Sequence, residues 1–222
     1  MIDPKIKAAL DAALAAFSNN SDFNAVELTE GFHEVFSSDE DFLTKVDLLD
    51  DVFNENPEIE GLREVFFDLL MINFFSADVK KLEEDYLDTP EWEAIEEETI
   101  DRGTELLNLL LYLNECDDEG IEPELDDYLK EFLLVDEDEF QDEYRIYEPI
   151  IANQILMEGS YAEINEVAQA LPEESELKEL FYPVMSFFYN TDPTEEDKQE
   201  VIANAVDTEF DSAVYEILTN FK

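Results

Sequence analysis

Chemistry that runs through a histidine can use only one residue of this chain, His33. It stands between Phe32 and Glu34 with Glu30 one turn earlier, so Glu30-Gly31-Phe32-His33 matches the Glu-x-x-His element of di-iron bundles. Such a centre takes that element from two helices, and a chain with one histidine cannot supply the second. A surface or half-buried histidine is expected instead. The single cysteine, Cys116, adjoins Asp117 and Asp118, and negative neighbours raise a thiol pKa and leave it inert. It cannot form an internal disulfide. From Glu115 to Asp126, Gly120 falls at the sixth position of a twelve-residue calcium loop. That loop, however, opens on Glu, carries the charged Glu122 at position eight and ends on Asp126 where a bidentate Glu is required. Neither a metal site nor a cofactor follows. The five glycines form no G-x-x-x-x-G-K and no G-x-G-x-x-G, so no phosphate cradle is present. Sixty-one carboxylates offer too many acid–base pairs for proximity in sequence to select one. The residues point to a protein that binds rather than an enzyme.

What they would bind is constrained by charge. There are 61 acids against 12 bases, a net charge of −49. A field of that sign repels nucleic acid and anionic membranes, which argues against either as a direct partner. The chain is nevertheless unlike a disordered acidic tail, because 17 Phe, 9 Tyr and a 45% apolar composition supply a core. The apolar runs Val65–Phe75 and Leu106–Leu113 are too short to span a bilayer. The N-terminal Met1-Ile2-Asp3-Pro4-Lys5 has no basic region followed by an apolar stretch. A soluble, cytoplasmic protein is expected.

The elements that must position these residues are helical. Apolar residues recur at helical spacing nearly throughout and no convincing period of two appears, which predicts an all-α fold of about 10–12 helices in a compact array of irregular hairpins. The chain is expected to form one domain, 1–222, with a soft division near 117–122. Asp3-Pro4 caps a first helix striped by Ile6, Leu10, Leu14 and Phe17. Further helices are expected over Ala25–Phe36, from a Ser38/Asp41 capping box to Phe53, from Asn56-Pro57 through Phe74, and from a Ser76 cap to Leu87. Thr89-Pro90 opens one long helix to Cys116. Helices follow at 123–134, at 137–157 kinked or split near Pro149, and at 160–171, 173–189, 193–206 and 208–221. Pro57, Pro90 and Pro123 open similar phrases 33 residues apart, a spacing that suits stacked hairpins of the HEAT or tetratricopeptide kind, but the likeness fades after two turns.

The acids are not spread evenly. From Glu83 to Glu143, 26 acids and two bases, Arg102 and Lys130, give a local charge of −24. In one continuous helix Glu93, Glu97, Asp101 and Glu105 would share an i,i+4 row, with Glu98 beside it. Each like-charge step costs an isolated helix about 0.2–0.5 kcal/mol, so local stability does not explain the row. A second cluster comprises Asp136, Glu137, Asp138, Glu139, Asp142 and Glu143. Helical carboxylates repeat about every 6 Å along a row and DNA phosphates about every 3.4 Å along a strand, so a two-row acidic face approaches the charge density of DNA. These eleven residues are therefore the expected contact with a basic protein, DNA-binding or histone-like, that the chain would engage as a DNA mimic. The alternatives are a helical scaffold whose acidity serves solubility alone, and adaptation to high salt. The clustering, nine lysines against three arginines and the abundance of large aromatics fit salt adaptation less well.

Overall fold

The computed structural model of the chain describes residues 1–76, 84–136, 139–140 and 145–222, with backbone alone at 84–85, 131–136 and 139–140. Its frame is set by the two ends of the chain. Helix α1, Pro4–Asn20, begins where the Asp3 carboxylate accepts from the Lys5 N–H at 2.8 Å and Pro4 takes the first turn. Its buried face alternates Ile6, Leu10 and Leu14 with Ala9, Ala13 and Ala16. The small residues allow close approach of α13, Thr208–Phe221, whose Ala213, Val214, Ile217 and Leu218 are equally buried. This is the most extensive helix pairing in the molecule.

Between these ends run α2 (Thr29–Ser37), α3 (Phe42–Glu55), α4 (Arg63–Ser76), α5 (Glu84–Leu87), α6 (Pro90–Thr99), α7 (Leu106–Glu119), α8 (Leu125–Leu133), α9 (Glu148–Ala152), α10 (Tyr161–Ala170), α11 (Phe181–Tyr189) and α12 (Glu195–Ala203). Two of them, α4 and α11, are buried on nearly every face, and neighbours surround them accordingly: α1, α3 and α7 around α4, α10 and α13 around α11. Phe32, Phe53 and Phe66 meet ring to ring at 4.9–5.7 Å, and Tyr128 stacks on Phe188 at 5.7 Å. One contiguous set of buried side chains runs from Ile6 to Phe221. The all-α expectation holds.

Several boundaries differ, each for a local reason. The Ser38/Asp41 capping box does not form; Asp41 is itself the cap of α3, accepting from the Thr44 N–H at 2.9 Å. Residues 25–28 and 57–62 are 3₁₀ turns leading into α2 and α4. Ser76 ends α4, and the start of the helix expected after it lies outside the described residues. No long helix covers 137–157. Leu134–Asp136 (β1) instead pairs antiparallel with Glu139–Phe140 (β2), and Pro149 sits in the first turn of α9, where its missing N–H costs nothing, rather than kinking a longer helix. The helix expected over 173–189 starts only at Phe181. Pro57, Pro90 and Pro123 open three different elements: a 3₁₀ turn, α6, and the connection before α8.

Two carboxylates are buried with the core. Asp68 is fully buried and Asp211 is 2% exposed; desolvation pushes Asp68 well above the usual carboxylate range and Asp211 up to about 7. Asp211 Oδ2 caps the approach to α13 by accepting from the Val206 and Asp207 N–H groups at 2.7 and 3.0 Å. Between the unfolded value of 3.8 and the folded value of about 7, the folded chain holds a proton that the unfolded chain has released. Stability therefore falls as pH rises through that window, by an amount of the order of a few kcal/mol. Caps such as Asp41 and Asp197, whose hydrogen bonds lower their values, act oppositely and only below the ordinary 3.8. The melting temperature should accordingly peak near pH 4, well below neutrality. Asp211→Asn, which keeps an acceptor for both N–H groups, should flatten the fall between about pH 5 and pH 7.5 in a calorimetric series. A wild-type melting temperature that rises over that interval contradicts the assignment.

Candidate functional site: the α6 face and its clamp

Helix α6 starts as the Thr89-Pro90 pair demands, with Thr89 Oγ1 accepting from the Trp92 N–H at 3.2 Å. Its inward face is narrow. Ile95 and Thr99 are buried, Trp92 is half-buried against Phe75 and Tyr86 at 5.4 and 6.1 Å, and the Thr99 hydroxyl donates back to Ile95 O at 2.7 Å. Everything else faces water: Glu91, Glu93, Glu96, Glu97 and Glu98 are all exposed.

The helix does not continue to Cys116. It stops at Thr99, and α7 begins only at Leu106. Gly103 causes the break. Its φ of +84° is a conformation that side-chain-bearing residues rarely adopt, and a Cβ there would lie 2.6 Å from Asp68 Oδ1. Around it the turn is fastened to α4. Glu64 Oε2 accepts from the Gly103 N–H at 2.7 Å, and Asp68 accepts from both the N–H and the hydroxyl of Thr104 at 3.0 and 2.5 Å. Arg102 lies over the Phe67 ring at 4.9 Å and donates to Glu64 and Asp50 at 3.0–3.1 Å. Asp50 in turn holds Arg63 at 2.8 Å, and Arg63 holds Glu60 at 2.7 Å. None of these partners was identified in the sequence. The available signal was Gly103 itself, a glycine inside an otherwise helical pattern.

The break redistributes the expected acidic row. Glu93 and Glu97 keep their i,i+4 relation on α6 with Glu98 beside them, and Asp101 is exposed in the turn. Glu105 leaves the row. It is half-buried before α7, where the Tyr147 hydroxyl donates to it and Asn108 Nδ2 donates at 3.0 Å. Only one like-charge step of the expected three, Glu93 to Glu97, therefore operates. Of the second cluster, Asp136 and Glu139 are opposed across the β1–β2 pairing, while Glu137, Asp138, Asp142 and Glu143 lie outside the described residues. α6 rests on α3 and α5, whereas β1 follows α8, so the two clusters have separate supports.

The bases are placed differently. Lys5, Lys7, Lys130, Lys198 and Lys222 each meet a carboxylate at 2.7 Å or less, as do Arg63 and Arg102 within 3.0 Å. Among the described residues, by contrast, Glu93, Glu97 and Glu98 enter no ion pair. Like charges within one turn that find no counter-ion repel, and they leave a field that a basic surface can neutralise.

The remaining candidates are structural. His33 Nε2 lies 2.5 Å from Asp11 Oδ1 on α1, not on Glu30, and Lys7 reaches the same carboxylate at 2.7 Å. Cys116 is buried. Asp117–Glu119 belong to α7 and Gly120 is its left-handed cap at φ 68°, so the calcium-loop register is replaced by a helix terminus. The Tyr112 hydroxyl then spans the connection, bonding the N–H and the carbonyl of Glu124 at 3.0 and 3.1 Å. Among the described residues no group of three or more His, Cys, Asp or Glu is arranged to hold a metal ion, and no helix is long and apolar enough to cross a membrane.

Gly103→Ala, strained at its φ and pressed against Asp68, should cost about 2 kcal/mol or more. Arg102→Gln leaves Asp50 and Glu64 facing each other half-buried and should cost a similar 2–3 kcal/mol. Denaturant melts give both values, and amide exchange should show α6 opening before α1 and α13. Equal protection of α6 in wild type and both variants would contradict the clamp.

No family model, no curated protein and no solved structure matches the chain, so these residues and their geometry are what its function must be argued from.

Proposed function

We propose that the chain acts by docking, without catalysis, on a basic protein surface of the kind that ordinarily holds DNA, and that Glu93, Glu97 and Glu98 on α6 are the first contacts. One observation supports this above the others: Lys5, Lys7, Lys130, Lys198, Lys222, Arg63 and Arg102 are held by carboxylates elsewhere, while the exposed acids of α6 enter no ion pair among the described residues. Glu93, Glu96 and Glu97 stand at i, i+3 and i+4, so three carboxylates share one side of the helix. The clamp at Gly103 holds that helix to α4 and fixes the acids in place before a partner arrives, which limits the ordering cost of association. Asp101 continues the face past the helix end. The acids Asp136, Glu137, Asp138, Glu139, Asp142 and Glu143 are proposed as the second contact.

Association driven this way is steered by charge, fast, and weakened steeply by salt. Binding to a lysine-rich histone-like protein, followed by biolayer interferometry, should lose at least about tenfold in affinity between roughly 50 and 500 mM salt. Duplex DNA should compete for the same protein. The triple variant Glu93→Lys, Glu97→Lys, Glu98→Lys should reduce affinity by about tenfold or more while leaving the melting temperature within a few degrees of wild type. Unchanged affinity in that variant would favour the scaffold reading, in which the acids serve solubility alone.

A further inference from the structure

A separate groove lies where the 3₁₀ turn Pro57–Leu62, the segment 173–179 and the start of α13 come together; it encloses about 260 Å³. Two of its walls are apolar, Val206 at 44% exposure and the half-buried Phe210. The polar groups facing it are nearly all accounted for. The Lys178 ammonium turns away to Leu171 O at 2.7 Å, Gln169 O at 3.3 Å and Glu173 at 3.5 Å, and the Tyr182 hydroxyl donates to Val201 O at 2.7 Å. Of the carboxylates lining it, Asp211 is the buried one. It is 2% exposed yet lines the groove, and its two backbone donors both meet Oδ2. Among the described residues no donor meets Oδ1. Oδ1 therefore takes no donor from the described residues and is reached from the groove, where a ligand that brings a donor can meet it. Glu179 and Asp207 add negative charge around it.

We infer that this groove is an anchor site for a lysine side chain of a partner protein, with the methylenes lying along Val206 and Phe210 and the ammonium meeting Asp211 Oδ1. Lysine fits better than arginine because Oδ2 is already taken by the Val206 and Asp207 N–H groups. A guanidinium fork needs two acceptor oxygens side by side, whereas an ammonium is satisfied by one and by the surrounding field. An apolar stem with a charged tip also matches a groove that is apolar along its sides and acidic at its floor. That the lysine comes from a basic protein rests on the acidic-face proposal; the chemistry of the groove does not.

The test uses the full chain and n-butylamine, which is a lysine side chain without its backbone. At about pH 8, where Asp211 is ionised, amide NMR should show saturable shifts confined to the start of α13 and the Pro57–Leu62 turn. Butan-1-ol, equal in stem and lacking the charge, should bind about tenfold more weakly. Asp211→Asn should weaken butylammonium by about tenfold, and Gly61→Leu should abolish its binding. Gly61 lines the groove and a Cβ there meets nothing within 4 Å, so that variant adds bulk at the groove without disturbing the core. Gly61→Leu should also weaken the histone-like protein several-fold, and the α6 triple reversal should leave the butylamine titration unchanged. Shifts spread evenly over the acidic surface, or equal binding by wild type, Asp211→Asn and Gly61→Leu, would overturn the site. Full affinity of Gly61→Leu for the histone-like protein would overturn its role as an anchor. The two proposals fail separately: unchanged protein affinity in the α6 triple reversal counts against α6 alone, whereas unchanged butylamine binding in Gly61→Leu counts against the groove alone.

Discussion

Arg102 is where the two tendencies of this chain meet. Its guanidinium spans Asp50 on α3 and Glu64 on α4 while its plane lies over Phe67, so one side chain joins three segments through charge and through an aromatic face. The position matters more than the energy of any one bond. Removing the cation would leave Glu64 at partial burial without its basic partner and facing Asp50, which keeps only Arg63. Beside it, Asp68 supplies the acceptors that the Thr104 N–H and hydroxyl need at the break. These contacts decide where α6 ends, and so which carboxylates are presented and which are drawn inward.

A net charge of −49 would seem to oppose any compact state, yet the balance is readily struck. A like-charge step on a helix costs a few tenths of a kcal/mol, whereas burying one large apolar side chain contributes about 1.5–3 kcal/mol. A core holding Phe32, Phe36, Phe53, Phe66, Phe181 and Phe187 essentially out of water outweighs many such steps. The scarce bases then act where they fasten one segment to another: Lys5 to Asp117, Lys198 to Glu216 and Lys222 to Glu122 each join residues distant in sequence. The pairs with an exposed partner, Lys5–Asp117 and Lys222–Glu122, contribute little stability individually, so their value lies in lowering repulsion between elements rather than in attraction.

The periodicity of apolar residues and the caps carried most of the helical order. Asp3-Pro4, Thr89-Pro90 and the apolar stripe of α1 determine local structure by themselves, and each is found where the pattern puts it. What did not show was decided by contacts far along the chain. Thr89–Cys116 looks like one helix because each half has helical spacing, and only Phe67 and Asp68, some 35 residues earlier, make Gly103 turn left-handed. The β1–β2 pairing is too short to impose a period of two. Of the candidate site, Glu93, Glu97 and Glu98 follow from the helix alone, since exposure is what a charged helical face does. Glu105 was misjudged because its partner, Tyr147, is 42 residues away. Asp211 was invisible for the opposite reason: in a chain with 61 acids, nothing in the sequence marks it or Asp68 as buried.

The geometry of α6 also explains why its charge can be concentrated without loss of the fold. The helix buries little beyond Ile95, Thr99 and part of Trp92, so its repulsion is borne locally and is not transmitted to α1, α13 or the Phe32–Phe53–Phe66 cluster. Local stability is set by local contacts, and an element with few of them opens at lower cost than the core does. Such an element suits recognition: it is fastened at its C-terminal end by the Gly103 turn and packed on α3 and α5, while its outer carboxylates stay unneutralised. A basic partner that neutralises them removes the one interaction that works against the helix. Under the proposed docking, binding and the stability of α6 would be favoured by the same charges, which is the reciprocity that any coupled equilibrium requires.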